Sequence, residues 1–398
     1  MVNKVYIFDS HPVQYKAPVY QAMARMAPGL FEVIYATDAS VRSGHVDREF
    51  GQVVTWDTPL LQGYDFRVLN TEQGVPLSGP RSLTGRGVWS LMRRERPKGI
   101  LLTQSYYRFD QVAYLSALAL RVPILIRQET QDAMQAGSRG RLKALARYAA
   151  YRALYAPVQH AFSFGRLNRA HLLRHGFADR QLSTAHFSVV DAVSPLSSGE
   201  KQARRAATRA RWGIAPDQVV VGFFGKLIDI KNPGLIIEAV AGLPQAVQQR
   251  LHLMWVGAGH LQASLAAQAD QLQREAGVAS TFCGFVNQSG LPDCYLACDI
   301  VVLPSRREAW GLVINEALHA GCAVVMSDTV GCQHEFGHWD KARVFAQGSA
   351  PALADAIADL ATLPRDFDWA SQHMQDYTTE AAARAMVKVM KELLDGQR

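Results

Sequence analysis

The sequence lacks the features that membrane-embedded, secreted or nicotinamide-dependent proteins need. Its apolar runs are far shorter than the roughly 20 residues that cross a bilayer. The N-terminus has no signal-peptide pattern, because Lys4 and Asp9 flank only a few strand-forming residues. No cysteine precedes Cys283; Cys283, Cys294, Cys298, Cys322 and Cys332 are odd in number and contain no Cys-x2-Cys pair, which reads as reduced, buried thiols. These absences predict a soluble, cytoplasmic-type chain. No Gly-x-Gly-x2-Gly follows the first strand, which argues against a nicotinamide dehydrogenase, and no RNA- or DNA-binding motif is present, which argues against a nucleic-acid partner.

What is present suffices for two hydrophobic cores: 398 residues, 48% of them hydrophobic. Charge is distributed unevenly. Residues 1–195 carry 24 Lys and Arg against 14 Asp and Glu, a balance of +10, while residues 196–398 carry 18 against 21, a balance of −3. A basic first half points to an anionic partner, either a phosphorylated acceptor or a membrane surface.

The most informative stretch is 299–326. Ile300 to Leu303 is a short β-branched run closed by Pro304, as expected of a buried strand in a parallel sheet. A loop to Gly311 follows, then helical spacing at Leu312, Val313, Ala317, Leu318 and Ala320, and a second buried run from Ala323 to Met326. Such a β-loop-α-β unit aims the N–H groups and the positive dipole end of its helix at the carboxyl edge of the sheet, where a diphosphate is favoured. Glu308 in the loop and Glu316 in the helix bracket that place, and both carboxylates can accept hydrogen bonds from hydroxyls.

The Glu-x7-Glu spacing, with Leu-Pro-Ser before it and Glu-Ala-Leu-x-Ala-Gly after it, resembles the donor-site signature of the retaining GT-B glycosyltransferases of family 4 (glycosyl transferases group 1). The resemblance implies that Glu308 holds donor-sugar hydroxyls and that Glu316 holds the nucleotide ribose. Ala309, Trp310, Gly311, Leu312 and Val313 would form the turn between them, Trp310 standing where Phe is more usual and so able to reshape the sugar pocket. Earlier in this half, Gly225, Lys226 and Lys231 resemble the family's diphosphate grip. Cations are wanted there because the leaving group gains charge as the glycosidic bond breaks. Gly257 begins a Gly-Ala-Gly turn like the family's, and Phe285 and Val286 match the segment whose backbone reads the base.

The first half resembles the family only loosely. After the first strand, where many relatives have a Gly-rich loop, this chain has His11, Gln14 and Tyr15, as some polysaccharide-pathway members do. With Tyr106 and Arg127 they are the acceptor-side candidates. Glu129 stands where relatives commonly have a His near the anomeric carbon; it is either an acceptor-hydroxyl base or a partner for Arg127. No nucleophile is evident on this edge, so a front-face substitution is implied.

Further segments carry weaker signals. Residues 139–155 read as a helix with Leu142, Leu145, Ala149 and Leu154 set against Arg139, Lys143, Arg147 and Arg152, fitting either a basic interfacial helix or a solvated one with its apolar face on the core. His171 and His175 are four apart and could share a metal, though no zincin pattern surrounds them; Cys332, His334 and His338 look metal-like only on paper. Asp368 of Asp366-Phe-Asp368 reads as a helix N-cap rather than half of a metal-nucleotide motif. No metal and no cofactor are expected.

The expected fold is α/β, two Rossmann-like domains with a cleft between them: 1–195 for the acceptor, 196–378 for the nucleotide sugar, and a helix, 379–398, that crosses back to the first domain. The expected function is retaining transfer of a sugar from a UDP- or GDP-linked donor to a glycan or lipid-linked acceptor in bacterial surface polysaccharide or glycoconjugate synthesis, in the cytoplasm or on the inner face of the membrane. The alternatives are a nucleotide-sugar epimerase or hydrolase of the same fold and a non-catalytic nucleotide-sugar-binding subunit.

Overall fold

The computed structural model describes residues 2–41, 46–47, 52–53, 57–69, 79–132 and 140–396. The chain divides into two compact units: Met1–His45, Pro59–Val190 and Asp376–Arg398 form unit 1, and Val46–Thr58 with Asp191–Gln375 form unit 2. The sequence boundary at 195 thus lies five residues beyond the structural one, and 46–58, assigned from sequence to the first domain, groups with the second.

In unit 1 the strands are β1 (Val5–Asp9), β2 (Phe31–Tyr35), β5 (Phe66–Val68), β6 (Gly99–Leu102), β7 (Ile124–Ile126), β8 (His160–Ser163) and β9 (Leu182–Thr184). The short antiparallel pair β3 (Val46–Asp47) and β4 (Gln52–Val53) intervenes in the chain. The seven strands form one parallel sheet ordered β5-β2-β1-β6-β7-β8-β9. Every residue of β1, β6, β7 and β8 is buried, as a sheet covered by helices on both faces requires. The helix after β1 runs Ala17–Met26, and Pro18 falls in its first turn, where no backbone N–H is needed.

Unit 2 is built on β10 (Val219–Phe224), β11 (Leu251–Val256), β12 (Ala279–Gly284), β13 (Ile300–Leu303), β14 (Ala323–Ser327) and β15 (Ala342–Phe345), all parallel, in the order β12-β11-β10-β13-β14-β15. Both sheets run outward from their first strand in two directions. The order therefore reverses between β1 and β6 in unit 1 and between β10 and β13 in unit 2, and a doubly wound sheet binds ligands at the carboxyl ends of the strands flanking that reversal.

The helix Thr379–Leu394 packs in unit 1. Thr378 caps it by accepting from the Ala381 N–H, and Ala382, Met386, Val389, Met390 and Leu393 join Val5, Val19, Met23 and Val33 in one core cluster. Gly99, at the start of β6, leaves room for Leu393: a Cβ there would lie 2.5 Å from Leu393 Cδ2.

The helix Ser198–Arg211 starts with a Ser197/Glu200 capping box and buries three of its cations, Lys201, Arg205 and Arg209, four residues apart. Asp299 takes both guanidinium groups, Arg205 at 2.5 Å and Arg209 at 2.6 Å, and also accepts from the Val220 N–H at 2.8 Å. Asp368 is not an N-cap: its carboxylate is the partner of buried Lys201 at 2.6 Å, and the short helix that follows begins at Ser371.

The helix predicted at 139–155 spans Arg141–Tyr155; Arg139 lies outside the described residues. Its inward face is Tyr148, Tyr151 and Tyr155, while Leu142 and Leu145, placed on the core by one of the two readings left open, are 84% and 65% exposed. Large tyrosine rings at helical spacing fill the space that the leucines were assigned.

Candidate functional site

In unit 2 the loops after β10, β11 and β13 are joined by backbone hydrogen bonds. Gly225 N–H donates to Val256 O and Leu227 N–H to Ala258 O, each at 2.9 Å; Leu261 N–H returns to Leu227 O at 3.1 Å, and Arg306 N–H donates to Ile230 O at 2.8 Å. This close approach explains the Gly-Ala-Gly turn. Gly257 has φ +141°, and a Cβ on it would lie 1.9 Å from Gly225 O, while one on Gly259 would lie 2.4 Å from Leu227 O. Gly257 N–H also donates to Gly284 O at 2.8 Å, bringing the loop with Phe285 and Val286 alongside.

The 304–311 loop is fixed from its other side. Glu308 pairs in bridge fashion with Val330, Gly331 N–H donates to Glu308 O at 3.0 Å, and Cys332 N–H to Trp310 O at 3.0 Å. Gly311, at φ +102°, opens the helix Leu312–His319. Leu312 and Val313 occupy its first turn, where N–H groups have no intrahelical acceptor and the dipole is positive. The Trp310 indole is buried and donates from Nε1 to Asn315 Oδ1 at 2.8 Å. This ties the indole to the helix Leu312–His319.

Two carboxylates and a lysine define the chemistry. Lys231 donates to Glu308 Oε2, both side chains being mostly but not fully covered. Glu316 accepts from the Tyr295 hydroxyl, and Tyr295 stacks on Phe224 with centroids 3.9 Å apart. Sequence reasoning missed Tyr295, in the helix Leu291–Ala297, because nothing local marks its contact with Glu316, 21 residues further on. Burial pushes the Glu316 carboxyl up to about 7, against a smaller opposing effect of the Tyr295 hydrogen bond.

A stability prediction follows from that shift. A carboxyl whose folded pKa lies above its unfolded value contributes stability that is full below pH 4.5 and is lost as pH rises through about 7. Glu316→Gln is therefore expected to remove a pH dependence of up to about 1.4 kcal/mol per pH unit across that window. Urea unfolding of both proteins at pH 4.5, 6 and 8 checks it; parallel curves for the two would contradict it.

In unit 1 the reversal point is organised by Asp9, a buried carboxylate at the end of β1 that the sequence reading mentioned only as a charge. It accepts from Lys16 Nζ (2.9 Å), Thr103 Oγ1 (2.9 Å), Tyr20 Oη (2.9 Å) and the Ser10 N–H (3.0 Å). Around it, His11 Nδ1 lies 2.8 Å from Ser10 Oγ, and Tyr15 donates to Glu129 Oε1 at 3.3 Å. Arg127 donates to the carbonyls of Ala185 (3.2 Å) and His186 (3.1 Å), and burial lowers its pKa. Glu129 takes the hydrogen bond from Tyr15 and also acts on the charge of Arg127, opposing the lowering of its pKa. Gln14 follows the same strand, and Tyr106, 54% exposed, follows β6.

All five cysteines are free. Among the described residues the only trio of potential metal ligands is Asp132, His171 and His175, so Cys332, His334 and His338 form no such group. No helix of the described residues is long and apolar enough to cross a membrane.

Residues 204–382 match the family Glycosyl transferases group 1. A D-inositol 3-phosphate glycosyltransferase of Streptomyces bingchenggensis is 30% identical over 241 residues, covering 57% of this chain and 51% of the relative. One of Mycolicibacterium smegmatis is 31% identical over 202 residues, 46% of this chain and 44% of that one. The chain spans about half the length of the curated relatives it matches. Among solved structures, Anabaena Alr3699/HepE in complex with UDP and glucose superposes with TM-score 0.66 at 16% identity, over 98% of this chain and 99% of the other. WaaG, a glycosyltransferase involved in lipopolysaccharide biosynthesis, superposes with TM-score 0.63 at 16% identity, over 98% and 100%. Residues 204–382 thus resemble the group 1 glycosyl transferases, and the two parallel-sheet units have the GT-B fold.

Proposed function

We propose that the protein transfers a glycosyl group, with retention, from a nucleotide-diphosphate sugar held by unit 2 to a hydroxyl of a glycan or lipid-linked acceptor held by unit 1, as a step in surface polysaccharide or glycoconjugate synthesis. The observation that carries this reading is the Lys231–Glu308 pair beside the Gly311 helix start, at the sheet reversal of unit 2. A cation, a helix N-terminus and a hydroxyl acceptor are the groups that a sugar diphosphate requires. Lys226 follows Gly225 on the same joined loops. In the reaction the bond from the anomeric carbon to the diphosphate oxygen breaks with its electron pair going to phosphate. The acceptor oxygen bonds to that carbon from the same face, and the acceptor proton passes to the departing phosphate oxygen. Protein cations neutralise the diphosphate, so the donor site works without a metal or cofactor. In unit 1, Glu129, Tyr15, His11, Gln14, Tyr106 and Arg127 orient the acceptor.

Calorimetry with UDP, GDP and their glucose conjugates tests the assignment. Glu316→Ala should weaken both the bare nucleotide and its sugar conjugate, because the ribose belongs to both. Glu308→Ala should spare the bare nucleotide and weaken only the conjugate. Each loss is expected at about 1.5–3 kcal/mol, the value of a hydrogen bond to a charged group; the reverse pattern would overturn the roles.

The acceptor reading extends to a surface. Unit 1 exposes Leu142 and Leu145 on a helix that also carries Lys143, Arg147 and Arg152, in the half of the chain with balance +10. This arrangement supports docking on anionic lipid at the cytoplasmic face. Sedimentation with vesicles should show binding to anionic but not neutral lipid, weakening as salt rises; equal, negligible binding to both would exclude it.

A further inference from the structure

Unit 1 contains a cluster that glycosyl transfer leaves unused. Asp132 ends the described part of the loop after β7, His171 lies in the helix Arg166–Arg174, and His175 is that helix's C-cap. Asp132 Oδ1 is 2.8 Å from His171 Nδ1 and 3.5 Å from His175 Nε2, and the two imidazole centroids are 4.4 Å apart. One donor atom from each of the three residues lies within 4.8 Å of the others. A tetrahedral ion with N and O ligands at about 2.0–2.2 Å holds its donor atoms roughly 3.3 Å apart, a value that the two measured separations bracket.

The surroundings match what such an ion requires. His171 Nε2 lies 3.2 Å from Tyr155 Oη, and Asp132 Oδ2 accepts from Arg174 Nη1 at 3.2 Å, so the histidine and the carboxylate are each oriented by an outer partner. Both imidazoles are buried against Tyr148, Tyr151 and Tyr155, while Asp132 is partly open to solvent. His175 faces Asp132 through Nε2, and its Nδ1 is buried with no hydrogen-bond partner among the described residues.

We propose that Asp132, His171 and His175 bind one divalent transition-metal ion of the zinc class, with solvent completing its coordination, and that the ion clamps the loop carrying Arg127 and Glu129 to the helix Arg166–Arg174. Two imidazoles and one carboxylate suit zinc, cobalt or nickel rather than magnesium or calcium. The ion holds the fold of unit 1 and takes no part in the donor site of unit 2.

The test uses tag-free, full-length protein stripped with a chelator and dialysed. It is titrated with Zn²⁺ by calorimetry and with Co²⁺ by visible absorption, with the melting temperature read in parallel. One equivalent should bind, Co²⁺ should develop the bands of N/O coordination at reduced coordination number, and the melting temperature should rise while UDP affinity stays unchanged. Asp132→Asn, at a partly exposed position, and His175→Gln should each weaken the metal at least about tenfold. Metal-free melting curves establish that Asp132→Asn is folded. No stoichiometric binding at micromolar metal, equal affinity in wild type and Asp132→Asn, or UDP affinity that tracks the metal would each overturn the proposal. None of these readouts depends on glycosyl transfer, so the outcome stands apart from that of the proposed reaction.

Discussion

Lys231→Ala is expected to lower kcat about 10²–10³-fold, the scale seen when one preorganised charge partner is removed from a developing anion. Stability should fall by no more than about 1 kcal/mol, since the Lys231–Glu308 pair is partly exposed. Lys231 sits on the loop joined to β11 through Gly225 and Leu227, and to the 304–311 loop through Ile230, so its position survives loss of the ammonium group. Excess chelator should leave UDP affinity of the wild type unchanged. If the chelator abolishes UDP binding, manganese restores it and Lys231→Ala is nearly silent, the diphosphate is not held where the joined loops place it.

The largest stability effect is expected at Asp299. Its carboxylate takes Arg205 and Arg209, both buried, and Asp299→Ala leaves two guanidinium groups without their counter-charge, at an expected cost of about 3–5 kcal/mol. Those groups also hold the carbonyls of Leu296, Ala297 and Cys298 at the end of the Leu291–Ala297 helix, where a cation is favoured by the dipole. That helix carries Tyr295, the partner of Glu316, so nucleotide affinity should fall along with stability. Urea unfolding followed by tryptophan fluorescence reports on unit 2 through Trp212, Trp255, Trp310, Trp339 and Trp369. A shift below about 1 kcal/mol would mean that the carbonyls alone satisfy the two arginines.

How far the sequence could be read depended on whether the signal was local. The stretch 299–326 was legible because strand, loop, Gly311 and helix follow one another within it, and each element announces itself by periodicity or by a stop residue. The Gly-Ala-Gly turn was visible, but its cause was not: contact of Gly257 with Gly225 joins loops of different strands. The burial of the cations at 201, 205 and 209 was not legible, because composition does not show which helix face is covered and Asp299 lies 90 residues beyond Arg209. Asp368 was misassigned for the same reason. For the Arg141–Tyr155 helix hydropathy left open which face its leucines take: Leu154 packs on the core, whereas Leu142 and Leu145 are displaced from it by tyrosine rings. Asp9 was unremarkable in sequence, since its four donors come from three separate segments. The pair His171 and His175 was noticed, but its third member belongs to a loop 39 residues earlier.

The helix Thr379–Leu394 supplies part of the core of unit 1, yet in the chain it follows every residue of unit 2. During synthesis, then, the strands of unit 1 emerge first and must wait, with the groove beside Gly99 uncovered, until unit 2 has been made. Unit 2 is contiguous over 191–375 apart from its short 46–58 piece, and it can close while the ribosome is still translating. The order of completion is the reverse of the order of translation: unit 2 is finished first, and unit 1, whose strands are made first, is the one exposed longest to chaperones and proteases.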